Sequence, residues 1–316
     1  MSARIIMKLV VDQIIDDTAD VRVITFRHPR RPELPEAEPG AHVDVHIPGG
    51  KIRQYSLCND PAERGVYRIA VKREADGRGG SRWLHEHLAP GMEIPVTVPR
   101  NNFGLASAAE RHVLIAGGIG ITPFVSMVRH LSAAQGAFTL HYCARTAAEA
   151  PLHAELAQLC TPTQLRTWFS REAEGQRFDA QALATPEPGT HLYCCGPASL
   201  VDAVRAATAA WPPEQVHFEV FAATLDENFK PEPFDIRVAS TGETIRVPAD
   251  ASALTVLRER GFPLASSCEM GVCGSCVCGY TDGVVIHRDA FLDASRRQEK
   301  LALCVSRARV GVTLDL

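Results

Sequence analysis

Four cysteines near the end of the chain constrain its fold more than any other feature. Cys268, Cys273 and Cys276 have the spacing C-x4-C-x2-C, and Cys304 follows after a longer gap. In plant-type ferredoxins this spacing wraps one loop around a [2Fe–2S] cluster and adds a fourth thiolate from elsewhere in the chain. Zinc is the competing metal, but zinc sites usually pair their ligands as C-x2-C at both ends, and Cys304 lacks such a neighbour. The pattern therefore predicts an iron–sulfur electron carrier.

The length and charge of the chain limit what else it contains. Its 316 residues are too many for one ferredoxin module and indicate two or three domains. The net charge of −4, without a basic stripe, argues against a nucleic-acid partner. The sequence has no run of about 18 or more apolar residues and no N-terminal signal pattern, and its ten cysteines suit a reducing compartment. We therefore expect a cytoplasmic protein without a membrane partner, and nothing in the sequence demands more than a monomer.

The first part of the chain, residues 1–104, has the pattern of a β-barrel or sandwich. Short runs of alternating apolar and polar residues, separated by proline and glycine, occur at 21–26, 42–47 and 67–71. One helix is predicted at 81–88. Many short strands with frequent turn signals are typical of such all-β domains.

Residues 105–225 alternate between strand and helix patterns. Strands are predicted at 112–117, 138–142, 165–169 and 191–194, and helices at 123–131, 147–159 and 198–210. This alternation predicts an α/β domain with a doubly wound parallel sheet covered by helices on its faces.

The last part of the chain is predicted to follow a linker. Residues 226–233 are rich in proline and charge, as linkers often are. Residues 234–316 then form a third predicted domain, with a hairpin at 234–240 and 244–247, a helix at 255–260 and the cysteine loop.

Two segments of the predicted barrel suit a phosphorylated ring system. Arg53, Tyr55 and Ser56 stand near a strand end, where a guanidinium can neutralise a phosphate while the ring and hydroxyl contact a ligand. Gly80 and Ser81 open the predicted helix, whose unpaired backbone N–H groups suit an anion. The alternatives are an amphipathic strand with a solvated arginine and an ordinary serine N-cap. From the residues alone, both alternatives stay open.

Two turns of the predicted α/β domain each follow a strand and precede a helix. Residues 117–123 read Gly-Gly-Ile-Gly-Ile-Thr-Pro, and residues 194–197 read Cys-Cys-Gly-Pro. Both turns would lie at the carboxyl ends of parallel strands, where ligands bind in doubly wound sheets. The first is neither a P-loop nor a G-x-G-x-x-G motif, and its alternative is a turn needed only for packing. For Cys194 and Cys195, a thiol beside a nicotinamide and simple strand packing both stay open.

Taken together and in this order, the turns and the cysteine loop resemble the phthalate dioxygenase reductase family, which includes the reductases of vanillate O-demethylase-type systems. The resemblance covers essentially the whole chain. It implies an antiparallel β-barrel that binds flavin, a doubly wound parallel sheet that binds NAD(P)H, and an α+β ferredoxin-like β-grasp domain with a plant-type [2Fe–2S] cluster. It also implies FMN, without the AMP that would extend it to FAD.

The resemblance implies a role for individual residues. Those implied to contact the flavin or its phosphate are Arg53, Tyr55, Ser56, Val71, Lys72, Gly80 and Ser81, with Phe221 as the aromatic residue that shields a flavin face. Those implied to hold the pyridine nucleotide are Gly118, Gly120, Thr122, Arg145, Cys195, Gly196 and Pro197. Those implied to hold the cluster are Cys268, Cys273, Cys276 and Cys304. No catalytic acid or base is expected.

The implied function is that of an oxygenase reductase in aromatic catabolism. A nicotinamide gives up two electrons as a hydride and an iron–sulfur cluster accepts one, so a flavin is needed between them. The terminal acceptor would be a Rieske-type oxygenase or O-demethylase component. The alternatives are a stand-alone flavin or quinone reductase with a structural metal module, and a non-enzymatic zinc-binding scaffold.

The choice of nucleotide depends on residues near the end of one predicted strand. Ser170 and Arg171 resemble the pair that grips the 2′-phosphate of NADPH in ferredoxin reductases. Members of the family that this chain resembles tend to carry an acidic residue near this position and to prefer NADH. A solvated loop position is the alternative for Arg171. NADH is therefore slightly favoured, with NADPH as the second expectation.

Overall fold

The protein divides into two compact units. The computed structural model describes residues 5–75, 77, 79–172, 175, 177–221 and 229–316. Most contacts between residues fall within Met1–Glu219 or within Val220–Leu316, and these ranges are the two units. Residues 226–228 of the predicted linker, and Arg78 within the predicted phosphate turn, lie outside the described residues. No helix in the described part of the chain has the length and apolar character needed to cross a bilayer.

The first unit begins with an antiparallel barrel, as the alternating pattern predicts. Its strands are β1 (Ile6–Asp16), β2 (Val21–Arg27), β3 (His42–Ile47), β4 (Lys51–Ser56), β5 (Tyr67–Lys72) and β6 (Glu93–Thr97). They are ordered β4-β3-β6-β1-β2-β5, and a bridge between Leu57 and Ile69 joins the two edges, so the barrel is nearly closed. Helix α1 (Gly80–His87) lies within one residue of its predicted bounds at each end.

A parallel sheet completes the first unit. Its strands are β7 (Arg111–Gly117), β8 (Ala137–Ala144), β9 (Leu165–Phe169), β10 (Thr190–Cys195) and β11 (Val216–Glu219), in the order β11-β10-β7-β8-β9. Helices α2 (Thr122–Ala133), α3 (His153–Leu159) and α4 (Ala198–Ala207) connect them. Every strand pair is parallel. The order reverses between β7 and β10, and the carboxyl ends of two strands on either side of such a reversal form a ligand-binding crevice.

One predicted helix is wrong in extent. A single helix is predicted at 147–159, but the chain forms a short 3-10 turn at Ala147–Glu149 and begins α3 only at His153. Pro151 disfavours helical dihedrals at Ala150, whose ψ is 96°. Leu152 then adopts a left-handed conformation with φ of 57°. Further 3-10 turns occur at Gly118–Ile121, Ala180–Leu183, Pro213–Gln215 and Arg296–Gln298.

The barrel and the parallel sheet share one apolar core. Val21, Val23 and Ala70 of the barrel pack in the same buried cluster as Leu114 of β7 and Phe124 of α2. Glu155 of α3 accepts hydrogen bonds from Arg68 of β5 and Arg129 of α2, which ties the two halves together by charge as well. Burial of a continuous apolar surface makes these halves one cooperative packing unit.

Among its described residues, the second unit forms a mixed five-stranded sheet with one helix. Its strands are β12 (Phe234–Val238), β13 (Thr244–Val247), β14 (Val277–Ile286), β15 (Lys300–Ala302) and β16 (Arg307–Leu314), in the order β13-β12-β16-β14-β15. Helix α5 (Ala253–Glu259) begins where Ser252 accepts a hydrogen bond from the Thr255 N–H. Leu254 and Leu257 bury one face of α5 in the core of the sheet.

Candidate flavin, nucleotide and iron–sulfur sites

The cysteine loop brings four sulfur atoms together in two pairs. Cys268 is hydrogen-bonded to Cys273, and Cys304 to Cys276. The bond from Cys268 lowers the pKa of the Cys273 thiol to about 5, and the bond from Cys304 lowers the pKa of Cys276. The same bonds raise the pKa of Cys268 and of Cys304. Cys268 also acts electrostatically on Cys304, raising the pKa of that thiol further.

Backbone N–H groups of the loop point at these sulfurs. The N–H of Met270 donates to Cys268 Sγ at 3.3 Å, and the N–H of Cys268 donates to Cys273 Sγ at 3.4 Å. The N–H of Gly271 donates to the Cys304 sulfur. Gly271 has a φ of 73°, and a Cβ there would lie 2.7 Å from a Val305 methyl carbon, so only glycine fits. Donors arranged in this way stabilise negatively charged sulfur.

The pairing of the sulfurs fits a two-iron cluster. Each iron of a [2Fe–2S] centre is bridged by two sulfides and so needs two cysteine thiolates. In the described part of the chain, no three or more His, Cys, Asp or Glu side chains are arranged as a metal-ion site. The two cysteine pairs supply the four thiolates that a [2Fe–2S] centre needs, and in this respect they fit such a cluster.

Two basic side chains of the barrel lie close to the start of α1. The Arg53 side chain lies against Gly80, since its Nε would be 2.6 Å from a Cβ at that glycine. Lys51 Nζ lies 3.1 Å from the Cβ position at Gly79, which caps the helix. Ser81 accepts a hydrogen bond from the Glu74 N–H at 3.1 Å. Two cations and a helix N-terminus together favour a phosphate group.

Tyr55 and Ser56 occupy the end of β4. Tyr55 is partly buried, and that burial raises the pKa of its phenol well above the ordinary value. Val71 of β5 is buried, and its carbonyl is 2.8 Å from His85 Nε2 of α1. Lys72, the next residue, forms an ion pair with Glu74 at 3.2 Å. These residues line the same end of the barrel as Arg53 and α1.

The two glycine-containing turns of the parallel sheet pack directly against each other. A Cβ at Gly120 would lie 2.3 Å from the Cys195 carbonyl oxygen, and one at Gly117 would lie 2.6 Å from Pro197 Cδ. A Cβ at Gly196 would lie 3.0 Å from Gly117 Cα. The turns therefore meet at the carboxyl ends of β7 and β10, where the strand order reverses.

The comparisons with known proteins agree with this arrangement. Three family models match: "Oxidoreductase FAD-binding domain" at residues 8–104, "Dimethylamine monooxygenase subunit DmmA-like, N-terminal domain" at 92–214, and "2Fe-2S iron-sulfur cluster binding domain" at 236–309. The reductase subunit of a tert-butanol monooxygenase / tert-amyl alcohol desaturase from Aquincola tertiaricarbonis is 41% identical over 98% of this chain and 95% of its own length. The phthalate 4,5-dioxygenase reductase subunit of Pseudomonas putida is 41% identical over 92% of this chain and 90% of its own.

A solved structure resembles the whole chain. It is phthalate dioxygenase reductase, described as a modular structure for electron transfer from pyridine nucleotides to [2Fe–2S], with a TM-score of 0.82 and 36% identity over 98% of both chains. The chain belongs to the phthalate dioxygenase reductase family. As a member of that family it is an oxidoreductase with a flavin-binding barrel, a parallel sheet and a [2Fe–2S] domain. These predictions from the sequence are confirmed.

Three other residues that the family resemblance implies to bind flavin or nucleotide are exposed or already form polar contacts within the protein. Thr122 is buried and its hydroxyl donates to the Ile119 carbonyl at 3.1 Å, so it stabilises the turn from within. Arg145 is exposed after β8 and forms an ion pair with Glu149 at 3.1 Å. Phe221 is 36% exposed, two residues beyond β11. Their ligand roles stay predictions.

Glu219 lies beside two predicted site residues, and sequence reasoning missed it. It ends β11, and its carboxylate lies 3.3 Å from the Ser56 hydroxyl, which donates to it, and 4.0 Å from Cys195 Sγ. Although the residue as a whole is only partly buried, its carboxyl group is desolvated, and this raises its pKa to about 8. Glu219 thus connects a predicted flavin residue with a predicted nucleotide residue. The available signal was an acidic residue at the end of an otherwise apolar strand.

Glu269 is a second missed residue, between Cys268 and Met270 in the cysteine loop. Its φ is 53°, in the left-handed region that non-glycine residues rarely adopt. Such a conformation costs on the order of 1–3 kcal/mol and persists only when the surroundings enforce it. Sequence reasoning had no access to this conformation, because glutamate does not favour it.

Proposed function

We propose that this chain is the reductase component of a Rieske-type oxygenase or O-demethylase system. It would take a hydride from NAD(P)H onto FMN and pass single electrons through its [2Fe–2S] centre to the terminal oxygenase. The observation that carries this proposal is the convergence of two cysteine pairs in a plant-type loop, in a chain that also has a flavin-type barrel and a nucleotide-type sheet.

The position of each group of residues indicates which cofactor it would hold. A bound flavin accepts a hydride and releases its electrons singly, and a [2Fe–2S] centre carries one electron at a time. Arg53, with the N–H groups at Gly80 and Ser81, would hold the flavin phosphate, and Tyr55 and Val71 would contact its ring. Cys268, Cys273, Cys276 and Cys304 would hold the two irons, while loop N–H groups stabilise their negative charge.

We propose FMN as the flavin. The anion site at Arg53, Lys51 and the N-terminus of α1 has the charge to neutralise one terminal phosphate. The matching barrel model is named for FAD, so the flavin needs direct identification. Flavin released from the purified protein by denaturation should have the mass of FMN, and recovery of FAD would contradict the proposal.

We propose NADH as the preferred donor. Arg145, Arg171 and Glu172 lie together at the carboxyl ends of β8 and β9, where the Arg171 N–H donates to the Arg145 carbonyl and Glu172 accepts from the Ala147 N–H at 2.7 Å. A carboxylate here would accept hydrogen bonds from ribose hydroxyls and repel a 2′-phosphate. The turns at Gly118–Ile121 and Cys195–Pro197 would hold the rest of the nucleotide.

The proposed partner docks near the cysteine loop. Residues 231–316 contain 11 Asp and Glu against 10 Lys and Arg, so no strong charge field guides the approach. Met270 and Val272 are partly exposed on the loop and are our candidates for apolar contacts. We propose a first domain that ends at residue 104, a second that ends at 225, a connecting segment at 226–233 whose residues 229–233 contact the third domain, and a third domain at 234–316. The division after Glu219 lies close to the second of these boundaries. We also propose a cytoplasmic monomer, in keeping with its free cysteines.

Anaerobic titration with NADH and with NADPH tests the function. Absorbance bands of flavin and of the iron–sulfur centre are followed together, and full reduction should consume about 1.5 equivalents of NADH, because a flavin takes two electrons and the cluster one. A chain that contains no iron and sulfide, and consumes only about one equivalent, would instead support a stand-alone flavin or quinone reductase. Reconstitution with candidate oxygenases then tests the partner class.

A further inference from the structure

The cysteine loop contains a strained residue beside a hydrogen-bond donor that points at a sulfur. Glu269, with φ of 53°, turns the chain between Cys268 and Met270. In this conformation the Met270 N–H donates to Cys268 Sγ, 3.3 Å away. The hydrogen bond to the sulfur is therefore made in a backbone conformation that glutamate by itself disfavours.

Arg258 holds this residue from a rigid element. It lies in the last turn of α5, whose neighbouring residues Leu254 and Leu257 are buried in the core. Its Nη1 donates to Glu269 Oε1 at 3.0 Å, and its Nη2 donates to Ser266 Oγ at 2.7 Å. Ser266 in turn donates to the same Glu269 oxygen at 2.8 Å.

The same guanidinium also fixes the start of the loop. Arg258 Nε and Nη2 donate to the Leu264 carbonyl at 3.1 and 2.8 Å. The planar guanidinium of Arg258 therefore donates hydrogen bonds to Leu264, Ser266 and Glu269. An isolated surface ion pair contributes little, but a fork with several aligned hydrogen bonds imposes a geometry.

We propose that Arg258 is a positioning residue for the iron–sulfur centre: it holds Glu269 in its left-handed conformation and so keeps the Met270 N–H directed at the Cys268 sulfur. This inference rests on the proposed function, because it requires a cluster at the four cysteines. Hydrogen bonds to ligand sulfurs stabilise the more negative, reduced state and raise the reduction potential. Arg258 thus contributes to the potential without touching the cluster.

The test compares reduction potentials of variants by spectroelectrochemical titration with electron paramagnetic resonance detection. Arg258→Gln should lower the equilibrium constant for one-electron reduction about three- to tenfold, a shift of about 28 to 59 mV to lower potential. Arg260→Gln is the matched control. Arg260 follows α5 and pairs with Glu243 at 3.3 Å, and its substitution removes the same positive charge. It should leave the potential unchanged.

Measurements in a Glu269→Gly background distinguish an effect of Arg258 on the loop conformation from an effect of its charge alone. Glycine adopts the left-handed conformation without strain, so Glu269→Gly should retain the turn without help from Arg258. In that background Arg258→Gln should cause no further shift. A Coulombic effect of the lost arginine charge would instead lower the potential equally in both backgrounds, and would overturn the proposal.

The remaining outcomes are also decisive. Arg258→Gln alone could fail to assemble a cluster. In that case, recovery of iron and of the cluster spectrum in the Glu269→Gly, Arg258→Gln double variant supports the positioning role. A double variant that also lacks iron contradicts it. An unchanged potential in Arg258→Gln refutes the inference while leaving the proposed function intact. Absence of iron and sulfide from the unaltered protein would instead refute the proposed function itself.

Discussion

Cys273 is the residue whose loss should separate the two halves of the reaction. It accepts a hydrogen bond from the Cys268 thiol, which lowers the pKa of Cys273, and it is one of the four cysteines predicted to bind iron as thiolates. Cys273→Ser replaces that thiolate with a hydroxyl that ionises far less readily. NAD(P)H-to-dye activity at the flavin should survive, whereas transfer to a one-electron protein acceptor such as cytochrome c should be lost.

The control for this prediction is a second cysteine of the same domain. Cys278 is buried in β14, and its thiol contacts the Gly279 carbonyl. Cys278→Ser should retain both activities and the iron content. Equal loss of dye reduction and protein reduction in Cys273→Ser would contradict the proposed order of carriers.

Glu219 should make the stability of the protein depend on pH. Its folded-state pKa is raised from the ordinary 4.5 to about 8 by burial, partly offset by the hydrogen bond from Ser56. Between these values the folded state retains a proton that the unfolded chain has released, so stability falls as pH rises through this interval. Glu219→Gln should remove this component, which is on the order of a few kcal/mol at most. Urea unfolding at about pH 5 and pH 8 measures the difference.

The matched control for Glu219 is an exposed glutamate on the turn before the same strand. Glu214→Gln should leave the pH dependence of the urea midpoint as it is in the unaltered chain. If Glu219→Gln shows the same decline in stability between the two pH values as the unaltered chain, its carboxyl group is not the source.

Single residues also show what sequence can and cannot reveal. The pairing of the four cysteines was predictable because C-x4-C-x2-C is a local spacing that iron–sulfur chemistry itself requires. Glu219 was not, because its partners Ser56 and Cys195 are distant in sequence and only folding brings them together. Glu269 was missed for another reason, since its unusual φ is imposed by Arg258 and opposes its own preference.

At the scale of elements, the two turns of the parallel sheet behave as one structure. Gly120→Ala would place a methyl group 2.3 Å from the Cys195 carbonyl oxygen, so the turns must separate. Overpacking of this kind typically costs about 1–3 kcal/mol. We expect a lower melting temperature and a raised KM for NADH, because both turns lie at the predicted nucleotide site. Thermal unfolding and steady-state kinetics measure these effects.

Gly118→Ala is the informative comparison for that prediction. A Cβ at Gly118 would meet nothing within 4 Å, but its φ of 52° makes alanine mildly strained. Its stability loss should therefore be smaller than that of Gly120→Ala. If the Gly118 substitution costs more stability, contact between the turns is not what requires glycine at position 120.

The predicted strands and helices occur in the predicted order, but β11 and several other strands were not predicted and one helix boundary was wrong. Apolar strands between turn signals were readable because burial in a sheet imposes the pattern locally. The predicted helix at 147–159 overlooked Pro151, whose effect on the preceding residue outweighs the helix preference of the alanines around it. Local steric rules for proline would have predicted the break that helical periodicity missed.

At the scale of the whole molecule, the second unit includes residues that precede its first strand. Buried Arg307 of β16 donates to the Glu232 carbonyl at 2.9 and 3.2 Å, and to the carbonyls of Pro248 and Ala251 at 2.8 Å. Arg288 lies over the Phe229 ring at 4.1 Å. The segment 229–233 therefore contacts the ferredoxin-type fold by hydrogen bonds and a cation–π interaction.

These contacts predict how the chain can be divided. A fragment 229–316 should unfold at higher urea concentration than a fragment 234–316, because removal of Glu232 leaves guanidinium N–H groups of buried Arg307 unpaired. The loss should be about 1–3 kcal/mol, with up to about 1 kcal/mol more from Phe229. Arg307→Gln, made in both fragments, should remove most of the difference, since the short amide cannot reach all three carbonyls. Equal stability of the two unaltered fragments would show that residues 229–233 contribute nothing to the fold, whereas the expected difference would make them part of the electron-carrying domain.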